Sequence, residues 1–266
     1  MNKKFFIFTF SRSDYSSIKP ILKELNNKKI KPYSLVVGGS HLSKKYGHTI
    51  DEIRKDKFVI DYKINFLKEK LIDNQHKFSS VFSNLFFLFT NFLKRKNVKK
   101  ILLIGDRWEL APLAISAFNL NIEIIHHSGG DYTYGSKDNF YRSIISIVSN
   151  IHLVGNALHK KRLELIGKNK SNIFIVGEPS LDNFKRRNIK KKDIVLATLY
   201  PSDYENISYQ MQISNFIKFL YKLKDQIVLT LPAAEKGTEV FIKKILKIRK
   251  KNIKVFKNLG VDAYND

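Results

Sequence analysis

The chain has 266 residues, with Lys+Arg 48 against Asp+Glu 24, a formal net charge of +24 at pH 7 and a pI near 9.9. Hydrophobic residues make up 43% and charged residues 27%, enough apolar surface for a core and too much for a chain that stays disordered. It contains no cysteine, which excludes disulfides, thiolate metal centres and cysteine nucleophiles, and no window reaches the roughly 20 apolar residues that span a bilayer.

The opening Phe5-Phe6-Ile7-Phe8-Thr9-Phe10 follows two lysines like a faint secretory leader, but the run is short and no small-residue cleavage site follows, so it reads as a first strand. Further strands are expected at 33–37, 101–104, 122–126, 151–154, 173–176, 194–198, 226–230 and 253–256. Helical patterns lie between them, at 16–26, 71–96 and 111–118. This alternation is the signature of βαβ units, so the expected fold class is α/β with a parallel sheet. Ile101-Leu102-Leu103-Ile104 is apolar without a break, as a strand covered on both faces must be. A polar, basic stretch over 183–192 suggests a boundary after Asp182, giving a doubly wound domain at 1–182 and a second domain at 183–266 with about three strands. The lysines are spread along the whole chain, with dense clusters at 185–192, in the expected linker, and at 243–257, on an expected solvated helix face. There is no zinc-finger spacing and no interleaving of basic and aromatic residues, so the charge reads as compositional and nucleic acid is not an expected partner.

Ligands of open α/β sheets sit beyond the carboxyl ends of the strands. After the first strand comes Ser11-Arg12-Ser13-Asp14, which suits an anion at a helix N-terminus or, equally, a helix cap with a solvent arginine. No G-x-G-x-x-G is present. Gly38-Gly39-Ser40-His41 follows the second strand and Gly105-Asp106-Arg107-Trp108-Glu109 the third, where Asp106 is placed as a carboxylate base or as a cap, and Arg107 as a phosphate clamp. The richest segment is His126-His127-Ser128-Gly129-Gly130-Asp131, followed by Gly135 and Asp138, because imidazoles and carboxylates are seldom buried unless paired. A metal is not expected, since adjacent histidines on a strand point to opposite faces. No G-x-S-x-G elbow supports a serine hydrolase.

Together these segments resemble the hydrolysing UDP-N-acetylglucosamine 2-epimerases of sialic-acid and legionaminic-acid biosynthesis. Ser11-Arg12-Ser13-Asp14-Tyr15 with Lys19-Pro20 is similar to the family's T-R-A-D-Y…K-P, and Gly39-Ser40-His41-Leu42 through Glu52-Ile53 to its G-x-H-L…G-x-T…E-I. Gly105-Asp106-Arg107-Trp108-Glu109 is similar to G-D-R-[FW]-E, and Gly177-Glu178-Pro179-Ser180-Leu181-Asp182-Asn183 to G-x-P-x-L-D-N. The resemblance implies two Rossmann-like domains of GT-B type, the second incomplete here, with a sugar nucleotide between them. It also implies elimination of UDP across C1 and C2 and hydration of the glycal to an N-acetylmannosamine-type sugar. By resemblance the acid/base set is Asp106, Asp131 and Asp138 with His41 and His126 in support. Arg12, Ser13, Arg107, Arg142 and Ser180 would bind substrate. No metal and no cofactor is implied, the location is cytoplasmic, and a homo-oligomer is left open. Which hexosamine is used, and whether the nucleotide is UDP or GDP, is also open.

The chain departs from the family pattern at several positions. H-x-H-G-G-E appears with Ser128 and Asp131, R-H as Arg142-Ser143, H-P as Tyr200-Pro201, and P-N-x-D as Pro232-Ala233-Ala234-Glu235. After Tyr264 the family's G-N-S-S-S-G segment does not follow, which makes a truncated or impaired member that binds without turnover the alternative expectation.

Overall fold

The strand at the start of the chain shows how the sheet is built. In the computed structural model, which describes residues 5–29, 33–67, 75–184, 193–202, 206–233, 236–260 and 263–264, this strand is β1 (Phe5–Thr9). Its side chains alternate, so Phe6 and Phe8, with Phe10 just beyond, face one apolar cluster and Ile7 faces another. The next elements are α1 (Arg12–Asn27), β2 (Tyr33–Gly38), α2 (Ile50–Lys55), β3 (Tyr62–Ile64) and α3 (Gln75–Arg95). There follow β4 (Lys100–Ile104), α4 (Leu110–Asn119), β5 (Glu123–His127), α5 (Asp138–Val148), β6 (Ile151–Val154), α6 (Ala157–Leu165) and β7 (Ile173–Ile175). These seven strands form one parallel sheet in the order β3-β2-β1-β4-β5-β6-β7, the doubly wound arrangement with its switch point between β1 and β4.

Helices cover both faces. Phe89 and Phe92 of α3 pack on the phenylalanines of β1, with Phe10 and Phe89 stacked at 5.7 Å and Phe8 edge-on to Phe92 at 6.1 Å. Removing a fully buried ring such as Phe89 costs about 3–5 kcal/mol. Ile18 and Leu22 of α1 and Ile50 and Ile53 of α2 meet Leu35, Val37, Leu102 and Ile104 on the other face. Ile101 and Leu103 turn to the first cluster, which is why β4 reads as an uninterrupted apolar run.

A second sheet, ordered β10-β9-β8, consists of β8 (Ile194–Ala197), β9 (Gln226–Thr230) and β10 (Ile253–Phe256), all parallel. The helices α7 (Tyr209–Lys222) and α8 (Thr238–Ile245) lie against it through Ile213, Leu220, Phe241 and Ile245. Arg12 joins the two sheets by donating from Nη2 to Leu231 O at 2.7 Å and from Nη1 to Lys257 O at 3.4 Å. Lys45 pairs with Glu239, and Asn258 donates to Glu52, across the same cleft.

Three expectations are corrected. The strand β3 was not anticipated, because it is only three residues long with an exposed lysine at its centre. The strand β5 ends at His127 instead of residue 126. The first helix begins at Arg12, since Ser11 is its N-cap and Asp14 accepts the Ser11 N–H at 3.0 Å, a capping box that puts Pro20 inside the helix. Residues 71–74 of the expected third helix, 185–192 of the expected linker, and Ala234 and Glu235 lie outside the described residues.

Proline inside a helix has no N–H to offer the carbonyl four residues back. For Pro20 that carbonyl belongs to Ser16, and it accepts instead from Asn183 Nδ2 at 2.6 Å. Asn183 closes the short 3-10 turn Pro179–Asn183 and also donates to Ser180 O at 3.1 Å, so the segment leaving the first sheet is fastened to α1. Beside it, Lys19 and Tyr15 both hold Asp56, at 2.9 Å and 2.7 Å.

Three imidazoles, His41, His126 and His152, are 0% exposed, and burial drives their pKa from 6.5 down to about 3, about 3 and about 4. Burial raises the Asp14 carboxyl to about 6, and it raises the carboxyls of Glu52, Asp106 and Glu109 as well.

Two outcomes follow. In a double-mutant cycle, Asn183→Ala costs about 1 kcal/mol in the natural background and less than about half of that beside Pro20→Ala, where the helix supplies its own donor; equal costs would contradict the pairing. For pH, the unfolded chain protonates its histidines below 6.5 while the folded chain keeps these three neutral. Their stabilisation is complete above that pH and is lost as pH falls towards their folded values. The raised carboxyls act in the opposite sense, Asp14 below about pH 6. The urea midpoint should therefore drop between about pH 7.5 and about pH 5; a flat or rising midpoint would contradict the burial.

A candidate active site at the carboxyl ends of the strands

The turn after β1 is a closed polar network. Asp14 accepts from Phe10 N at 2.9 Å, from Ser11 N at 3.0 Å and from the Thr9 hydroxyl at 2.9 Å. With its proton given to Asp14, Thr9 Oγ1 accepts from His41 Nε2 at 2.9 Å. The other nitrogen of the neutral ring then accepts from the Thr49 hydroxyl at 2.6 Å. This chain ties β1, the turn after β2 and the start of α2 together, and it leaves neither ring nitrogen of His41 free.

The second half of the site is built by β4, β5 and α5. Arg142, on α5 and almost fully buried, donates to the Asp106 carboxylate after β4 and to Asp131 O after β5, the latter at 3.0 Å. Burial raises the Asp106 carboxyl and Arg142 opposes that rise. Asp138 opens α5 and accepts from Ser136 Oγ at 3.1 Å. Arg107 donates to Glu109 Oε1 at 3.2 Å, and Glu109 is 1% exposed with its second oxygen buried and unbonded. The Arg107 charge also lowers the carboxyls of both Asp14 and Asp106 against the burial that raises them, so it lies between the two halves.

The adjacent histidines of β5 diverge as strand geometry requires. His126 Nε2 donates to Gly105 O at 2.9 Å and its Nδ1 accepts from Ser146 at 3.1 Å, while His127 Nε2 donates to Gly177 O at 3.1 Å. Gly130 follows with φ +75, and a Cβ there would stand 2.2 Å from His159 O, so only glycine lets the loop bring Asp131 to His159 Nε2 at 3.3 Å. A hollow of about 470 Å³ lies at the start of α5, walled by Tyr132, Ser136, Lys137, Phe140, Tyr141 and Ser143, with Asp138 outside its wall.

Asp106, Asp131, Asp138, Arg107 and Arg142 thus share one region. His41 and His126 do not open into it; buried and doubly bonded, they hold strand ends in place. Arg12, expected at a diphosphate, spends its guanidinium on Leu231 O and Lys257 O. Ser13 Oγ meets Ser11 Oγ at 2.7 Å, and Ser180 lies in the turn against α1. Among the described residues no hydrogen bond or ion pair joins Arg12, Ser13 or Ser180 to Asp106, Asp131 or Asp138. His159 was not anticipated, and Glu109 was read in the G-D-R-[FW]-E match without a role; the signal for it was a carboxylate at the cap of the apolar helix α4, two residues from Arg107. Among the described residues no group of three or more His, Asp or Glu is arranged to hold a metal.

Residues 23–266 match a family described as UDP-N-acetylglucosamine 2-epimerase. The chain is 28% identical to the UDP-N,N'-diacetylbacillosamine 2-epimerase (hydrolyzing) of Legionella pneumophila, over 100% of this chain and 74% of that one. It is 27% identical to the GDP/UDP-N,N'-diacetylbacillosamine 2-epimerase (hydrolyzing) of Campylobacter jejuni, over 98% of this chain and 72% of that one. The crystal structure of the Neisseria meningitidis UDP-GlcNAc 2-epimerase bound to UDP-GlcNAc superposes with a TM-score of 0.74 at 14% identity, covering 98% of this chain and 74% of that one, a likeness of fold. The two parallel sheets are accordingly Rossmann-like units in the GT-B arrangement. The chain belongs to the UDP-N-acetylglucosamine 2-epimerase family.

Proposed function

We propose that the chain is a hydrolysing 2-epimerase that converts UDP-N-acetylglucosamine, or a related UDP- or GDP-sugar, to the free 2-epimeric sugar and a nucleoside diphosphate. The observation that carries this reading is the meeting of the Asp106 carboxylate with Arg142 at the strand ends, with the charges of Arg107 and Asp138 acting on Asp106 and the Asp131 loop held to Arg142 by its backbone carbonyl. In the first step a carboxylate takes the C2 proton, the C2–H electron pair forms the C1–C2 double bond, and the C1–O bond breaks with its electrons leaving on the diphosphate. Water then adds its hydroxyl at C1, and a proton returns to C2 on the other face. The three carboxylates share the acid and base roles, and for Asp106 burial raises the affinity for a proton, as that task requires.

Arg107, braced by Glu109, meets the leaving diphosphate, and Arg142 positions Asp106. His41 and His126 are positioning residues. Arg12 contributes by holding the ends of the second sheet's strands against the first. With the nucleotide sugar in the cleft, the chain divides into domains at 1–182 and 183–266, a division supported by the separate sheets. A reducing cytoplasm agrees with a chain that contains no cysteine.

Incubating the purified chain with UDP-N-acetylglucosamine and, in parallel, with UDP-N,N'-diacetylbacillosamine, followed by NMR, should show free nucleotide and free sugar. Asp106→Asn should lower turnover by at least about a thousand-fold. Glu109→Gln, which keeps the shape but removes the charge bracing Arg107, should raise KM about ten-fold with kcat within about two-fold. Binding of both nucleotide sugars with no release from folded protein would contradict the activity. It would favour a member that binds without turnover, the reading to which Ser128 and Tyr200, in place of the family's histidines, point.

A further inference from the structure

Most of the positive charge has no part in this chemistry, and the fold gathers some of it on one surface. Helices α7 and α8 pack together, and this brings Lys218 of α7 beside Lys244 of α8 and Lys247 just beyond it. Between the helices is a hollow of about 310 Å³ lined by Ser214, Ile217, Lys218, Tyr221, Lys244 and Lys247, with no carboxylate in its wall.

Two lysines brace it. Lys244 Nζ reaches Gln210 O at 3.1 Å and Ser214 Oγ at 2.5 Å, and Lys250 Nζ caps α7 at Tyr221 O and Leu223 O, at 2.6 Å and 3.1 Å. Lys218 and Lys247 point to solvent. Helix α7 has no acidic residue, and the carboxylate of α8, Glu239, is shared between Lys45 and, at 4.0 Å, Lys243; among the described residues no ion pair joins it to Lys218 or Lys247.

Large apolar side chains stand among these lysines. Met211, Phe219, Tyr221 and Leu246 are 51%, 56%, 47% and 44% exposed. Met211, Ser214, Lys218 and Tyr221 recur at three- and four-residue spacing and therefore share one face of α7. A helix that presents lysine together with Phe, Tyr and Met lies flat on a bilayer, with its apolar groups at the acyl boundary and its ammonium groups on lipid phosphates. Met211 and Leu246 offer nothing to the charged backbone of a nucleic acid, so the mixture favours a lipid surface.

We propose that the outer face of α7 and α8 is a docking surface for an anionic membrane, with the hollow between the helices receiving a lipid phosphate. The test is flotation of the full chain with phosphatidylcholine vesicles, either plain or containing about 30% phosphatidylglycerol. The chain should float with the anionic vesicles, not with the plain ones, and less so as salt rises. Lys218→Glu with Lys247→Glu should weaken binding at least about ten-fold, and Phe219→Ser about five-fold. Reversing two exposed lysines elsewhere, Lys23→Glu with Lys55→Glu, should change binding by less than about two-fold. These are surface positions, so unfolding midpoints and nucleotide-sugar binding serve as controls for an intact fold. Equal weakening by both pairs would reduce the effect to bulk charge and overturn the proposal. Binding of single-stranded RNA without vesicle binding would overturn it in favour of a nucleic-acid surface.

Discussion

Arg142 joins the loop after β4 to the loop after β5 at the carboxyl ends of the strands. It rises from α5, is almost wholly buried, and holds the Asp106 carboxylate with one nitrogen and the carbonyl of Asp131 with another. A guanidinium is always charged, so its burial is tolerable only because Asp106 neutralises it; equally, Asp106 remains available as an anion in a desolvated place because Arg142 is there. The same pair fixes the spacing between the end of β4 and the glycine turn after β5, and Gly130 allows that turn to run against His159 O. Loss of Arg142 would strand a buried carboxylate and free both loops together.

Much of what surrounds this pair is support. Asp14, Thr9, His41 and Thr49 form a continuous chain of hydrogen bonds across the β1–β2 corner. Pro20 leaves the Ser16 carbonyl without a helix donor, and Asn183, 167 positions later, supplies one. That bond explains why a proline inside a helix and an asparagine after the last strand of the first sheet belong to the same design. Arg12, Lys45 and Asn258 then set the second sheet against the first across the cleft.

The alternation of apolar runs with helical periods was enough to recover β1, β2 and β4 to β10 within a residue at each end. The strands β1, β2 and β4 are buried and tolerate little but apolar side chains, and β7, β8 and β10, though partly exposed, are still short runs rich in β-branched and apolar residues. The edge strand β3 escaped because Lys63 at its centre is exposed and only three residues pair. The site was readable as a region more than as a set of roles. Polar residues that cap a helix and polar residues that meet a substrate have the same composition, so Asp14 and Asp106 look alike in sequence. Coordinates separate them: Asp14 is enclosed by three donors, while Asp106 keeps 23% of its side chain exposed beside Arg142. In the same way Arg12 reads as a phosphate ligand until the carbonyls of Leu231 and Lys257 are seen to occupy it. His126 reads as an acid or base until both of its nitrogens are found bonded.

The central claim is that the carboxylates at these strand ends remove the proton from C2 and that the hydrated product takes a different one. Turnover of UDP-N-acetylglucosamine in deuterium oxide, read by NMR and mass of the released sugar, tests it most directly. The account predicts one deuterium at C2 in essentially every product molecule. A released sugar that keeps its original hydrogen at C2 would mean that the nucleotide is displaced without elimination, and the assignment of Asp106, Asp131 and Asp138 to proton transfer at C2 would be wrong.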